Sequence, residues 1–295
     1  MKLAIALKLG RVSNLPTVWS NVLTGTALAG AAVTDADVAD ARLAILIFSL
    51  SLFYVGGMFL NDAFDHGFDA KARPERPIPS GQVSAAQVHA FGFGMMALAL
   101  ALLAWVGYRH EPLTQWRPVA AGIVLGGAIV YYNWHHKNNP LSPLVMGACR
   151  MLVYLTAAWA VSAVMAWPVI VAAGVLLCYL IGLTYAAKKE HLDRLDSFWP
   201  LLFLSAPLVY GIHLAQAQPA VVLPLLLLTV WVAWALWLLR RRGPGDVPRA
   251  VVSLIAGISL LDAILLAGAG HVLFAWLAVA AFVVTLVLQR WISGT

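Results

Sequence analysis

Charged side chains are scarce in this sequence, since Lys, Arg, Asp and Glu together make up 11% of its 295 residues. A soluble domain usually carries about 25%, so this chain has too few charges to cover the core of a water-soluble protein. Cysteines are equally scarce. Cys149 and Cys178 lie in separate apolar runs without a paired spacing, which excludes a disulfide framework and a cysteine-based zinc site.

Hydrophobic residues make up 62% of the chain and are gathered in long runs. A transmembrane helix needs about 20 apolar residues, so the runs predict an all-α integral membrane protein, a single polytopic domain over residues 1–295. The bundle has nine or ten transmembrane helices, because only four residues, 268–271, separate the last two runs. The predicted spans are Asn14–Val33, Leu43–Ala63, Ser84–Tyr108, Pro118–Trp134, Pro143–Met165, Pro168–Ala187, Phe198–Ala215, Pro219–Leu239, Ala250–Ala267 and Val272–Gln289.

The net charge of +6 raises nucleic acid as a partner, but the basic residues lie in short gaps between apolar runs. When the loops are assigned alternately to the two sides, all Lys and Arg except Arg42, Arg109, Arg117 and Arg150 fall on one side. The positive-inside rule makes that side cytoplasmic. We therefore expect a multi-pass protein of the inner (cytoplasmic) membrane that contacts the lipid bilayer and no nucleic acid. The oligomeric state stays open.

An acidic run closes the second predicted span. On a continuous helix Asp62, Asp65 and Asp69 fall within an arc of about 60°, so the three carboxylates share one face. Like charges held this close at a membrane boundary are costly without a cation. Mg²⁺ is the natural candidate, because it takes a few carboxylates and completes its shell with water and phosphate oxygens. The alternative is an interfacial acidic patch neutralised by the cations of the next loop: Lys71, Arg73 and Arg76.

That loop reads Lys71-Ala72-Arg73-Pro74-Glu75-Arg76-Pro77-Ile78-Pro79-Ser80-Gly81. Cations beside a metal-bound diphosphate stabilise the charge that develops as the leaving group departs. The acidic run Asn-Asp-x-x-Asp-x-x-x-Asp, followed by Arg-Pro-x-Arg-Pro-Ile-Pro-Ser-Gly, resembles the first signature of the UbiA superfamily of intramembrane prenyltransferases. Arg11 and Asn14 at the entrance of the first span, and Tyr131-Tyr132 closing the fourth, extend the resemblance.

The resemblance implies a Mg²⁺-dependent transferase that moves a polyprenyl group from its diphosphate to an aromatic or other small acceptor. Its active site faces the cytoplasm, where the loops after the second, fourth and sixth spans ring one cavity. The implied catalytic residues are Asp62, Asp65, Asp69 and Lys137. The residues expected to bind substrate or diphosphate are Asn14, Asn61, Lys71, Arg73, Arg76, Tyr132, Arg150, Lys188 and Lys189.

The second acidic motif departs from the family pattern. Family members usually end the sixth span with Asp-x-x-x-Asp, whereas this chain reads Thr184-Tyr185-Ala186-Ala187-Lys188-Lys189-Glu190-His191-Leu192-Asp193-Arg194-Leu195-Asp196. Glu190 and Asp193 share a helical face and are predicted to complete the metal ligands Asp62, Asp65 and Asp69. The alternative is a solvated charged turn. Lys188 and Lys189 are expected to bind diphosphate oxygens directly as point charges, in place of a missing metal ligand.

A weaker resemblance, to the EboC-like branch of the superfamily, rests on residues 132–141 and the following Met146-Gly147-Ala148-Cys149-Arg150. Arg150 lies inside the fifth predicted span, where a buried guanidinium requires a partner. Asp262, alone in an apolar run, is one candidate for a structural ion pair. A phosphate or carboxylate of the substrate is the other.

Two functions fit the sequence. The first is the prenyltransferase, and the second is a non-catalytic UbiA-like lipid-handling or transport protein, which the degenerate second motif permits. A transporter places its polar site near the bilayer midplane, on interrupted helices related by an internal repeat. Most charged groups of this chain lie instead on loops at one end, which favours the enzyme.

Overall fold

The computed structural model describes residues 1–30, 41–109, 114–137, 139–188, 199–292 and 294. All regular structure in these ranges is helical, which confirms the all-α fold class. The α-helices are α1 (Leu3–Leu9), α2 (Leu15–Leu28), α3 (Ala41–Phe64), α4 (His66–Ala72), α5 (Ala85–Arg109), α6 (Arg117–His135), α7 (Ser142–Val161), α8 (Trp167–Lys188), α9 (Ala206–Ala215), α10 (Val222–Arg241), α11 (Asp246–Gly268) and α12 (Val272–Leu288). Short 3₁₀ segments span Val12–Asn14, Trp199–Ser205 and Pro219–Val221.

Six helices of the described chain are long and apolar enough to cross a bilayer: α3, α5, α7, α8, α10 with its preceding 3₁₀ turn, and α11. Each of the ten predicted spans contains a helix, and the four helices outside that set of six are α2, α6, α9 and α12, with 14, 19, 10 and 17 residues. Three of these four are clearly shorter than the roughly 20 residues that a full span needs. The multi-pass architecture is therefore supported, and the count of nine or ten spans stays a prediction.

The first predicted span, Asn14–Val33, extends further than the helix it contains. Helix α2 ends at Leu28, and Gly30 adopts a positive φ of 74°. Glycine is the residue that reaches this left-handed conformation without steric cost, and it commonly ends helices. The apolar composition continues beyond this turn, so hydropathy alone placed the end of the helix too late.

Helix α11 is the buried centre of one half of the molecule. It packs against α2, α8, α9, α10 and α12. In its most apolar stretch of 18 residues, 89% is buried inside the protein. A helix that is hydrophobic on all sides is expected in such a position. Asp262 lies in the middle of this helix with no exposed surface, so its carboxyl group must find partners inside the bundle.

Helices α2, α3, α6 and α7 form the part of the bundle that carries the candidate site. Helix α2 packs on α3 and α7, and α6 packs on both α3 and α7. The short helix α1 packs beside the end of α3, where Leu9 joins Phe59, Ala63 and Val88 in a small apolar cluster. This contact holds the chain just before α2 against the acidic end of α3.

Close approach of α2 to α7 depends on Gly25. A β-carbon at this position would lie 2.6 Å from the carbonyl oxygen of Tyr154, which is backbone and has no room to move. Small residues at such contacts are typical of membrane helices, which associate through van der Waals packing.

We expect Gly25→Ala to destabilise the protein by about 1–3 kcal/mol, the usual cost of overpacking a close contact. Thermal unfolding of the purified protein in detergent measures the loss. Gly127→Ala is the matched control, because Gly127 lies on α6 with no atom near its missing β-carbon and alanine favours a helix by about 0.5–1 kcal/mol. Equal melting temperatures for the two variants would contradict the tight α2–α7 contact.

Candidate active site

The three carboxylates of the acidic run divide into two groups. Helix α3 ends at Phe64, and Asp65 occupies the junction before α4. Asp62 and Asp69 share a partner, whereas Asp65 has partners of its own. The expectation of one continuous helix with three carboxylates on one face therefore differs from the structure, because the helix is interrupted at the middle carboxylate.

Asp62 and Asp69 are bridged by Arg76. The Arg76 Nη1 atom lies 3.2 Å from Asp62 Oδ1 and 2.8 Å from Asp69 Oδ2. Arg11 adds a second cation, with its Nη2 atom 3.6 Å from the same Asp62 oxygen. The side chains of Asp62 and Asp69 are only 11% and 4% exposed, so these cations offset much of the cost of burying the carboxylates.

Asp65 pairs with the two residues that follow α6. Lys137 Nζ lies 2.9 Å from Asp65 Oδ1, and His136 Nε2 lies 3.5 Å from Oδ2. Burial by itself raises the pKa of Asp65, but hydrogen bonds and charge from His136 and Lys137 hold that pKa below its ordinary value. The Lys137 ammonium also sits 3.6 Å from the centre of the Phe68 ring, a cation–π contact.

This pairing brings together the loops after the second and fourth predicted spans, as the sequence predicts. An amide chain reinforces the junction: Asn61 Nδ2 donates to Asn133 Oδ1 at 3.0 Å, and Asn133 Nδ2 donates to the Gly57 carbonyl at 3.0 Å. Arg11 Nη2 donates to Asn61 Oδ1 at 3.4 Å. The acidic cluster, defined as Asp62, Asp65 and Asp69 with their cations Arg11, Arg76 and Lys137, thus combines carboxylates of α3, the α3–α4 junction and α4 with cations from the segments that follow α1, α4 and α6.

A cavity lies beside the acidic cluster, between α2, α3, α6 and α7. It encloses about 510 Å³ of space between protein atoms, counting its open part. Met58 and Asn133 line it, and they contact Arg11 and Asn61 of the cluster region. Most of the remaining lining is aliphatic or aromatic: Val18, Leu50, Phe53, Leu125, Ile129 and Val153. The site therefore joins a charged mouth to an apolar interior.

Arg150 lies in the wall of this cavity. Its Nη1 donates to Asn21 Oδ1 at 3.0 Å and its Nη2 to Thr17 Oγ1 at 3.1 Å. Asp262 is joined to it through Asn21, whose Nδ2 donates to Asp262 Oδ2 at 2.8 Å. Tyr154 donates its hydroxyl to the other Asp262 oxygen. The alternative of a structural Arg150–Asp262 pair thus takes an indirect form, with an amide between the two charges.

Other predicted site residues have varied surroundings. Tyr132 lines the cavity and stacks on His136, with ring centres 5.0 Å apart. Asn14 is engaged by the C-terminal segment, since its Nδ2 donates to the Gly294 carbonyl at 2.9 Å and Gln289 donates to its Oδ1 at 3.0 Å. Its role in binding substrate stays a prediction, because the amide already has protein partners.

The remaining predicted residues lie away from these contacts. Lys71 is exposed and Arg73 is partly exposed, and neither forms an ion pair with any residue that the structure describes. Lys188 ends α8, but its side chain is outside the described part of the chain, as are Lys189, Glu190 and Asp193. The predicted second motif therefore has no structural description.

The carboxylate pair fits a single divalent cation in its chemistry. Carboxylate oxygens are the ligands that Mg²⁺ prefers, and Mg²⁺ needs only one or two of them when water and phosphate complete its shell. Arg76 Nη1 already lies between one oxygen of Asp62 and one of Asp69, so this position accepts positive charge. No group of three Asp, Glu, His or Cys residues suited to a metal occurs within the described ranges, since Asp65 is turned toward Lys137.

Sequence reasoning missed several residues that build the site. Asn133, His136 and Phe68 hold the acidic cluster in place, and Thr17 binds Arg150. Asn133 follows Tyr132 at the end of an apolar run, where an amide inside a span is itself a signal. Phe68 and Thr17 carry no such signal, because their roles depend on tertiary contacts.

Comparison with known proteins confirms the family resemblance. The sequence profile of the UbiA prenyltransferase family matches residues 22–196, more than half of the chain. A digeranylgeranylglyceryl phosphate synthase from Methanopyrus kandleri is 35% identical over 92 residues, which cover 31% of each chain. A protoheme IX farnesyltransferase from Synechococcus elongatus is 28% identical over 218 residues, 68% of this chain and 60% of that one. The matches span less than two thirds of these relatives' own lengths.

Two solved structures share the fold over most of the chain. The apo structure of a UbiA homologue from Aeropyrum pernix superposes with a TM-score of 0.63 at 16% identity, covering 86% of this chain and 96% of that one. A structure of digeranylgeranylglyceryl phosphate synthase gives 0.60 at 17% identity, covering 91% and 99%. At these identities the likeness concerns the fold alone.

We expect Arg76→Gln to destabilise the metal-free protein by about 3–5 kcal/mol, because it leaves two buried carboxylates without their shared cation. Mg²⁺ should then raise the melting temperature of the variant more than that of the wild type, since the metal no longer competes with Arg76. Thermal unfolding in detergent, with EDTA or with saturating Mg²⁺, measures both effects.

The matched control for this experiment is Arg73→Gln, three residues earlier in the same loop and without an ion pair in the described chain. It should leave stability and the Mg²⁺ response unchanged. Two results would refute a cation position between Asp62 and Asp69. One is that metal-free Arg76→Gln melts at the same temperature as the wild type, and the other is that Mg²⁺ does not change the melting temperature of this variant.

Proposed function

This chain belongs to the UbiA prenyltransferase family, and we propose that it is a Mg²⁺-dependent intramembrane prenyltransferase. It would move a polyprenyl group from its diphosphate to an aromatic or other small acceptor. One observation carries this proposal: Asp62 and Asp69 surround a cation position beside an apolar cavity. A prenyl diphosphate has the same division, with a charged end that attracts metal and cations and an apolar chain that favours the cavity.

The residues of the acidic cluster have distinct roles in this proposal. Asp62 and Asp69 would hold Mg²⁺, which when bound neutralises the diphosphate and polarises its bond to the allylic carbon. Arg11 and Arg76 lie within 3.6 Å of Asp62, so both reach a diphosphate that binds beside it. Lys137, held by Asp65 at 2.9 Å, supplies a further point charge for the phosphate oxygens.

Transfer requires the bond between the allylic carbon and the diphosphate oxygen to break, with the electron pair leaving on the diphosphate. The guanidinium groups of Arg11 and Arg76 stabilise that charge. A nucleophilic carbon or oxygen of the acceptor donates an electron pair to the allylic carbon and loses a proton to the released diphosphate. The cavity limits access of water, which would otherwise react with the allylic cation. The faces of Tyr54 and Tyr132, which line it, stabilise that cation.

The other predicted residues complete this proposal. Lys188, Lys189, Glu190 and Asp193 would supply the opposite rim of the site, following the sequence prediction. We also propose that the site faces the cytoplasm, because the loops that carry the acidic cluster lie on the strongly basic side of the predicted topology.

The non-catalytic alternative is not favoured. The relatives are named for prenyl-containing products or prenyl transfer, namely digeranylgeranylglyceryl phosphate synthase and protoheme IX farnesyltransferase. The acidic cluster also lies at the end of α3 and not at its centre, whereas a transporter would bind its substrate near the midplane.

Asp62→Asn and Asp69→Asn should each lower prenyl transfer about 10²–10³-fold, the usual loss when a group that stabilises the transition state is removed. The amide keeps the size of the side chain but not the charge that a hard cation requires. Purified protein is incubated with a radiolabelled prenyl diphosphate, a panel of acceptors and Mg²⁺, and labelled product is counted.

Glu75→Gln is the control, because Glu75 is an exposed acid in the same loop and should retain wild-type activity. Equal Mg²⁺-dependent product from Asp62→Asn and the wild type would remove Asp62 from the mechanism. Diphosphate binding by the wild type, with no turnover on any acceptor, would support the non-catalytic alternative.

Asp65→Asn should behave differently, because Asp65 holds Lys137 and leaves the Asp62–Asp69 pair intact. We expect a higher KM for the prenyl diphosphate, with a much smaller change in kcat. Steady-state kinetics at saturating Mg²⁺ measures both constants. A loss of kcat as large as that of Asp62→Asn would instead place Asp65 among the metal ligands.

A further inference from the structure

The apolar side of the cavity is formed by α3 and α6. Leu50 and Phe53 line it from α3, and Leu125 and Ile129 line it from α6. Both helices end beside the acidic cluster, so their residues with lower numbers lie deeper in the bundle. On α3 the lining begins at Leu50 and ends at Met58, eight residues later (58 minus 50). Eight residues of α-helix rise about 12 Å, so the cavity extends about 12 Å below its mouth.

Phe53 lies across the deep end of this cavity. Its ring reaches from α3 to the surface of α6 at Gly122 and Gly126. A β-carbon on Gly122 would lie 3.5 Å from Phe53 Cζ, and a β-carbon on Gly126 would lie 3.4 Å from Phe53 Cε1. The two glycines are four residues apart (126 minus 122), so they lie on one face of α6. Because neither has a side chain, that face of α6 has room for the aromatic ring.

The space inside the cavity narrows with depth. Leu50, Phe53 and Leu125 line it, yet they expose only 0%, 1% and 1% of their surface. Met58 and Tyr132, which line the part nearer the mouth, are partly exposed. The room that a ligand can enter therefore ends at the ring of Phe53.

We propose that Phe53 limits the length of the prenyl chain that this protein accepts, and that its donor carries two or three isoprene units. The inference rests on the proposed function, which it refines by naming the donor class. A fully extended carbon chain advances about 1.2 Å per bond, so an isoprene unit, with four bonds along the chain, needs about 5 Å. Two units therefore fit within the depth of about 12 Å, and a third extends toward the acidic cluster.

The distance from the acidic cluster sets the upper limit. Asp62 lies twelve residues beyond Leu50 on α3 (62 minus 50), which corresponds to about 18 Å along the helix. A chain whose diphosphate lies at Asp62 has at most this distance before it meets the deep end. Three isoprene units need about 15 Å and four need about 20 Å. A fourth unit would therefore collide with the ring of Phe53.

Donors that differ only in chain length test the proposal on the whole chain. Radiolabelled geranyl, farnesyl and geranylgeranyl diphosphates are added to purified protein at saturating Mg²⁺, and each Kd is measured by filtration, which needs no acceptor. An apolar pocket discriminates against a single extra carbon by a factor of about 10–200. We therefore expect the wild type to bind farnesyl diphosphate at least tenfold more tightly than geranylgeranyl diphosphate.

Phe53→Ala should abolish this preference. Truncation of a buried side chain leaves apolar space that can hold a hydrocarbon of about six carbons, which is about one isoprene unit. The matched control is Phe274→Ala, the same truncation at a buried residue of α12 outside the cavity. The control should keep the wild-type ratio of the two Kd values. Because detergent takes up each donor equally in both variants, this comparison isolates the contribution of Phe53.

Ile129→Phe should move the limit in the opposite direction. Ile129 lines the cavity one helical turn nearer the mouth than Leu125, so a ring at this position shortens the available space by about one isoprene unit. We expect this variant to bind geranyl diphosphate at least tenfold more tightly than farnesyl diphosphate. A purely structural role of Phe53 does not produce opposite shifts in the two variants.

Equal Kd values for farnesyl and geranylgeranyl diphosphate in the wild type would overturn the inference, because the chain would then leave the cavity between helices. An unchanged ratio in Phe53→Ala would overturn it too. If Phe53→Ala fails to fold, Ile129→Phe decides, and a wild-type preference in that variant contradicts the limit.

Turnover separates this inference from the proposed function. The same three donors are incubated with a panel of acceptors, and labelled product is counted. Selection of chain length in binding, with no product from any acceptor, would support the limit at Phe53 and contradict prenyl transfer. Product formed from all three donors with equal kcat/KM would support prenyl transfer and overturn the limit.

Discussion

Compensation of buried charge is the constraint on which the site depends. Ionised groups removed from water are costly unless counter-charges and hydrogen bonds replace the lost solvation. Asp62 and Asp69 meet this requirement through Arg76, and Asp65 meets it through Lys137. Arg76 follows α4 and Lys137 follows α6, so satisfying the charges also fixes how the segments after these helices meet the end of α3. The same ion pairs therefore neutralise the acidic cluster and determine the shape of the opening of the site.

Close packing between the helices supports this arrangement of charges. Gly25 lets α2 approach α7 closely, which brings Thr17 and Asn21 within reach of Arg150. Asn133 joins α6 to α3 through Gly57 and Asn61. Membrane helices associate through van der Waals packing at small residues and through hydrogen bonds between polar side chains, because lipid provides no hydrophobic driving force for helix contact. Here the same contacts also shape the cavity wall.

Much of this architecture follows from the sequence, and the part that does not is tertiary. Long apolar runs predict helices, because a backbone in lipid must satisfy its own hydrogen bonds. Carboxylates held close together need cations, and on that ground the sequence points to three acids and three cations of one loop, of which the structure brings together Asp62, Asp69 and Arg76. Periodicity could not divide Asp65 from its neighbours, because its partner Lys137 lies 72 residues further along the chain (137 minus 65). The sequence suggests Asp262 as a partner of Arg150, but not the Asn21 amide between them, since the three residues lie on three different helices.

The balance of charge differs between the mouth and the cavity. In the acidic cluster three carboxylates face three cations, Arg11, Arg76 and Lys137, so the described cluster is close to neutral. A divalent cation or a diphosphate alone would disturb that balance, whereas the two together bring opposite charges and disturb it less. In the proposed function, metal and prenyl diphosphate should therefore bind with positive coupling. The cavity wall is different, because Arg150 donates to the neutral side chains of Asn21 and Thr17, and the charge of Asp262 reaches it through Asn21.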